Sequence, residues 1–250
     1  LNQQNRERQR LTQQVQAEAE ALAMREDPEA YLLFAAHESF NSGIVGLAAS
    51  RLVDKYYRPA IVAERGPETT RGSCRSIQEF HITEALDQCK DLLVRHGGHA
   101  AAAGFTVEND KLPELVARLK TIAAEKLSGL DLRPSLTADA EVSLHDLPPD
   151  IMRRLSELEP TGYGNREAVL VSRAVRVASK RTVGADAKHL KLTLESGGKQ
   201  FDAIAFRLGE RLNDLPAVVD VMYTLETNTW NGRESLQLNI KDIKPTGVED

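Results

Sequence analysis

The stretch Gly97-Gly98-His99-Ala100-Ala101-Ala102-Ala103-Gly104 holds residues whose types and spacing suit chemistry on an anion. Two adjacent glycines let the backbone approach a ligand closely, and the small residues after His99 pack tightly against a neighbour while leaving the imidazole unobstructed. A second segment, Gly72-Ser73-Cys74-Arg75-Ser76, is expected to lie beside it as a loop. The pair suits a phosphate: bare N–H groups of Gly97 and Gly98 cradle it, while Ser73, Arg75 and Ser76 bring hydroxyls and a forked cation to its oxygens. Arg75 has a second reading, a surface ion pair with Glu79 or Asp87 of little energetic weight. His96 and His99 stand three apart, but no third ligand follows at a matching spacing, so no metal site is expected and His96 reads as a surface residue. For His99 a structural hydrogen bond is the alternative.

Alternating strands and helices are what must position these segments. Leu11, Val15, Ala19 and Leu22 form one stripe of a helix over residues 1–24, which Pro28 closes. Tyr31 to Ala36 reads as a strand, and a helix from Gly43 to about Tyr57 follows, capped by Asn41 or Ser42. Strands are expected at Ala60 to Ala63 and Thr69 to Cys74, a helix at Ile82 to Leu93, a strand at Ala100 to Val107 and a helix at Leu112 to Leu127. That order implies an α/β sandwich. Gly and Pro between Ser128 and Ser135 mark a boundary, followed by a short strand (Thr137 to Val142), a short helix (Asp150 to Leu158) and a hinge at Pro160 to Asn165.

Beyond the hinge the period is that of strands. Leu190, Leu192 and Leu194 alternate with His189, Lys191 and Thr193; Val219, Val221, Tyr223 and Leu225 form a strand that Asn231-Gly232 joins to Leu236, Leu238 and Ile240. Five strands, with a helical piece (Arg207 to Leu215) before the last two, suit a barrel of the OB type, whose exposed face commonly binds single strands. Arg173, Arg176, Lys180, Arg181, Lys188, Lys191 and Arg233 read as a basic path with Tyr163 or Trp230 as stacking platforms, or as charge scattered on a solvated face. The domain boundaries read as 1–27 for a connecting helix, 28–132 for the α/β domain and 133–250 for linker and barrel.

The 250 residues, 41% hydrophobic and 28% charged, have the balance of a globular protein with a proper core. No apolar run is long enough to span a membrane. A net charge of -5 excludes indiscriminate coating of nucleic acid, so any such binding must come from placed residues. Two cysteines, Cys74 and Cys89, form no disulfide framework, and the reading is cytoplasmic. The chain opens on Leu1, in what reads as the middle of a helix, as a fragment would.

Ser42 to Leu52, then Gly72 to Ser76, then Gly97 to Gly104, follow the order of the DHH-associated domain, while Gly162-Tyr163-Gly164-Asn165 and Trp230-Asn231-Gly232 through Ile243 resemble the opening and last hairpin of an OB domain. Nearly the whole chain is thus similar to the C-terminal region of the RecJ family, single-strand-specific 5′ to 3′ DNA exonucleases of the DHH phosphoesterase superfamily. One departure is His37-Glu38-Ser39-Phe40, where the family often has Trp-His.

The resemblance implies a DHH-associated α/β domain with a mixed sheet, then a five-stranded OB-type barrel. It implies that Ser73 and Arg75 hold the DNA 5′-phosphate and that His99 touches the scissile or adjacent phosphate. Two manganese or magnesium ions would belong to a DHH domain absent from this chain, which alone would bind without cutting. Single-stranded DNA and that domain are the implied partners, with a single-strand-binding protein or a helicase beside them, and the role would be DNA repair and recombination. Other readings are a DHH phosphodiesterase of oligonucleotides or cyclic dinucleotides, which generally lacks the barrel, and a non-catalytic replication scaffold.

Overall fold

Asn41 opens the helix that organises the first half, its side chain accepting the Gly43 N–H at 2.8 Å in place of the missing helical carbonyl. From there α2 (Ser42–Tyr56) turns Ile44, Val45, Ala48, Ala49 and Leu52 to the interior and ends on Tyr57 in the left-handed region. The structure, a computed structural model, describes residues 2–162, 164–230 and 232–248, and the side chains of all of these except residues 2–4, 230 and 233. The chain divides into two units, Leu1–Pro134 and Ser135–Asp250.

In the first unit a five-stranded mixed sheet has the order β1-β2-β3-β5-β4. Its strands are β1 (Leu33–His37), β2 (Ala60–Arg65), β3 (Thr69–Arg75), β4 (Leu93–Gly98) and β5 (Ala102–Glu108). The first pair is parallel and the others antiparallel. Side chains alternate between faces. One face sends Phe34, Ile61, Cys74, Ala103, Phe105 and Val107 into a core with α3 (Ile82–Asp87) and α4 (Leu112–Leu127). The other sends Leu33, Ala35, Ala60 and Val62 against α2 and α1 (Asn2–Glu26). Those last residues belong to β1 and β2, so α1 and α2 bury that side of the face, and Gly46 of α2 reaches over β3. Glu20 of α1 ties the two helices by accepting from Lys55 (2.6 Å) and Tyr56 (2.7 Å).

The expected helix over Ile82 to Leu93 ends at Asp87. Cys89 and Leu92 instead turn the chain into the core through Cys89 N–H to Leu86 O and Leu92 N–H to Cys89 O, and β4 then begins. The periodic stripe was real, but its last residue opens a strand. The glycine motif therefore lies at the end of a strand pair, and Gly72 to Arg75 belong to β3 instead of a loop. Gly72 is where β3 crosses the buried Phe105 ring: a Cβ there would stand 2.3 Å from the ring carbons. Gly72→Val is expected to lower the first unit's stability by ~1–3 kcal/mol through overpacking, read as an earlier melt by circular dichroism.

The second unit closes five strands into a barrel: β7 (Leu170–Val183), β8 (His189–Ser196), β9 (Lys199–Ala205), β10 (Val218–Trp230) and β11 (Arg233–Pro245). The order β7-β8-β9-β11-β10 returns to β7, with β9 and β11 parallel and the rest antiparallel, which is the OB arrangement. Leu190, Leu192, Leu194, Val221, Leu238 and Ile240 fill it. The Tyr223 hydroxyl is buried there and meets Ser172 Oγ at 2.9 Å; Ser172 in turn donates to Val142 O. Several expected pieces are shorter: β6 is only Ala140–Glu141, α5 is Ile151–Ser156, and the piece after Phe206 is a 3-10 turn at Gly209–Leu212. No described helix is long and apolar enough to cross a membrane.

Candidate nucleic-acid interface

Sheet register assembles a site on the first unit's sheet where α2 borders the part of that face left open by the helices. Ser73 lies across from Gly104, which lies across from Gly97; Arg75 lies across from Ala102. The buried Cys74 points to the opposite face, its thiol pushed up to about 12 by burial, with the Arg75 charge a smaller opposing effect, so it is no nucleophile. Gly46 of α2 sits over Ser73 and Arg75, so close that a Cβ there would be 3.0 Å from both Arg75 Nη2 and Ser73 Oγ. A helix interior ordinarily disfavours glycine, and here the close approach explains it.

Arg75 is braced without being neutralised. Its Nη1 donates to Cys74 O (2.8 Å) and Ser73 Oγ (3.2 Å), and among the described residues no carboxylate pairs with it. The two acids considered as its partners are engaged elsewhere, Glu79 accepting from the Tyr57 hydroxyl at 3.1 Å and Asp87 meeting His96 Nε2 at 2.7 Å. Ser76 turns away, its hydroxyl donating to Phe80 O at 2.6 Å, and thereby braces the turn after β3. Gly98, at φ +154°, would bring a Cβ to 2.3 Å from Ala102 O, so only glycine fits where β4 leaves the sheet. His99 follows, exposed, with its backbone held by Ala102 O (2.8 Å) and the Thr83 hydroxyl (2.8 Å). The arrangement presents a fixed, unpaired guanidinium, a hydroxyl and an open imidazole about a backbone floor, which is equipment for an oxyanion.

Two further cations on this face carried no signal in the sequence. Arg71 and Arg95 both lie across from Thr106 on β5, one strand to either side, with Arg95 Nε donating to Thr106 Oγ1 at 3.2 Å. A bulge at Val94, between Leu93 and Arg95, sets Arg95 on this face. Without knowledge of β4 the row could not have been read.

The barrel cations are distributed differently. Arg173 pairs with Asp220 (3.0 Å) and Glu141 (3.3 Å), Arg176 with Glu195, Lys188 with Asp186 (3.1 Å), and Lys191 with Asp202 (3.8 Å) while donating to Gln237. Lys180 donates to Leu215 O. Four of the six expected cations with described side chains thus sit beside an acid, the exceptions being Lys180 and Arg181. Tyr163 lies outside the described residues, as do the side chains of Trp230 and Arg233, whose backbones face each other across the last hairpin. Sequence reasoning passed over Phe206: its half-exposed ring meets His189 edge-on at 5.2 Å at the end of β9. Among the described residues no group of three or more His, Cys, Asp or Glu could hold a metal ion.

Comparison with known proteins agrees with both units. Residues 29–125 match the DHHA1 domain family and residues 138–242 the RecJ OB domain family. The single-stranded-DNA-specific exonuclease RecJ of Bacillus subtilis is 33% identical over 97% of this chain, and that of Escherichia coli is 33% identical over 84%. The chain spans about a third of the length of these relatives, 31% and 37% respectively. The crystal structure of Thermus thermophilus RecJ with Mn2+ superposes with a TM-score of 0.77 at 28% identity, covering 99% of this chain and 35% of that one. The same protein with Mg2+ gives 0.76 at 29% identity, covering 100% and 38%. With a DHHA1 domain leading into a RecJ OB domain, the chain belongs to the RecJ family.

Proposed function

We propose that this chain is the DNA-binding region of a RecJ-type single-strand-specific 5′ to 3′ exonuclease acting in the cytoplasm in DNA repair and recombination. Ser73 and Arg75 hold the 5′-phosphate, His99 contacts the scissile or adjacent phosphate, and the barrel holds the strand. The observation that carries this reading is Arg75, a guanidinium fixed by Ser73 and Cys74 with no described carboxylate to neutralise it, at the end of the central strand of a sheet floored by Gly97 and Gly104. Hydrolysis through two manganese or magnesium ions is assigned to a DHH domain outside this chain, because the described residues offer no cluster of ligands for a metal pair. A single-strand-binding protein or a helicase would deliver the strand.

The test is fluorescence anisotropy of the 250-residue chain with labelled single-stranded and duplex DNA of one sequence over a salt series. Single strands are expected to bind more tightly, with log K falling by ~0.7 per log unit of salt for each phosphate contacted. Equal affinity for duplex, or no binding to either, would overturn the reading.

A further inference from the structure

We infer that the open sheet face holds a second phosphate subsite, built by Arg71, Thr106 and Arg95, one step along the strands from the Ser73–Arg75 site. The inference rests on the reading of that first site as the holder of a terminal phosphate. Three rows lie side by side across β3, β5 and β4: Arg71–Thr106–Arg95, Gly72–Phe105–His96 and Ser73–Gly104–Gly97. Eight of these nine residues line a hollow of about 330 Å³, the exception being Ser73.

The outer rows share a face and are ~6.6 Å apart, and the two arginines at one end stand ~10 Å apart across the intervening strand. Beside them, in the Ser73 row, the floor bears no bulk. A Cβ placed on Gly97 would meet nothing within 4 Å, and Gly104 offers only hydrogen in its row.

Charge makes this a site for an anion. Arg71 and Arg95 are exposed and, among the described residues, form no ion pair, whereas Arg173 and Arg176 of the barrel do. Glu64 stands beside Arg71 in the register of β2 and β3 but makes no ion pair with it. Two forked cations flanking the Thr106 hydroxyl match a phosphoryl group approached from both sides. The chemistry required is a phosphoryl group covalently continuous with the one on Arg75. It can come from an internucleotide linkage of the bound strand or from the outer phosphates of a 5′-triphosphate end.

The experiment measures anisotropy of the 250-residue chain with one single-stranded sequence carrying a 5′-hydroxyl, a 5′-monophosphate or a 5′-triphosphate, for wild type, R71Q/R95Q, R71K/R95K and Arg75→Ala. An internucleotide phosphate is indicated if R71Q/R95Q weakens all three ligands by about the same tenfold and lowers the salt slope by ~0.7. Outer phosphates are indicated if wild type prefers the triphosphate and R71Q/R95Q abolishes only that preference. R71K/R95K, which keeps the charge, should retain most of the affinity and shows that the fold is intact.

Wild-type affinities for all three ligands in R71Q/R95Q would overturn the second subsite, even where Arg75→Ala still loses its 5′-phosphate preference. The reverse pattern, an effect of R71Q/R95Q with none of Arg75→Ala, would keep the subsite and remove the terminal-phosphate reading. Failure of wild type to bind any of the three would overturn both.

Discussion

Arg75→Ala is expected to erase the advantage a 5′-phosphate gives a single strand, a loss of about 10- to 100-fold, while a 5′-hydroxyl strand of the same sequence binds nearly as before. The magnitude follows from charge-assisted hydrogen bonds, worth ~1.5–3 kcal/mol each when the partner is ionised. The folded state should tolerate the change, because among the described residues the side chain donates only to its own neighbours Ser73 and Cys74 and carries no ion pair. Arg75→Lys should recover part of the affinity, since an ammonium keeps the charge and loses the fork. Gly46→Val offers a second route to the same outcome: its Cβ would press on Arg75 Nη2 and Ser73 Oγ from 3.0 Å. Anisotropy with the two end chemistries decides the matter, and equal losses on both would remove Arg75 from the 5′-phosphate.

Asp220→Ala is expected to destabilise the barrel by ~2–3 kcal/mol, because it orphans a backbone donor along with the carboxylate's other partners. Asp220 is 3% exposed. It accepts from Ala174 N–H (2.9 Å), from Arg173 Nη1 (3.0 Å) and from the Thr246 hydroxyl (3.0 Å). The strand needs this brace because Ala174 sits at φ +51°, at the irregularity where β7 pairs with β10. Burial pushes the Asp220 carboxyl up, but the Ala174 amide, Arg173 and Thr246 together outweigh it and hold it below the usual value.

A depressed folded value means the stabilisation is complete above the unfolded carboxylate value of ~3.9 and is lost as pH falls below it. Thermal melts of the wild type should therefore weaken on acidification below about pH 4 more steeply than those of Asp220→Ala. Parallel pH profiles would show that Asp220 does not supply the difference.

Both units were legible where sequence writes its own geometry. Asn41 announced α2, and the Leu190, Leu192 and Leu194 alternation gave β8. What hid β4 was a continuous apolar stripe from Ile82 to Leu93, which marks residues that share an interior and is silent on whether the chain turns between Asp87 and Leu93. Without β4, the pairing of Arg95 with Thr106 and Arg71 had no basis, since it exists only through strand register.

Ser73 and Arg75 were found by residue type and by the family resemblance; that they share a face, being two apart on a strand, follows only from β3, where a loop was expected. Ser76 was grouped with them by adjacency, although one residue further along the chain leaves the strand. The barrel cations were named by charge alone, and charge in sequence does not reveal the acids that cross-strand neighbours such as Asp220 and Glu195 bring opposite them.

The floor beneath the arginines has one more consequence, for information. Adenine, guanine, cytosine and thymine are told apart by side chains that reach the edges of the bases, and Gly97 and Gly104 have none to offer. A surface of bare peptide flanked by guanidinium groups reads the sugar-phosphate track and is blind to the letters it carries. On the proposed function, such blindness would let any nucleotide take its place on the floor in turn.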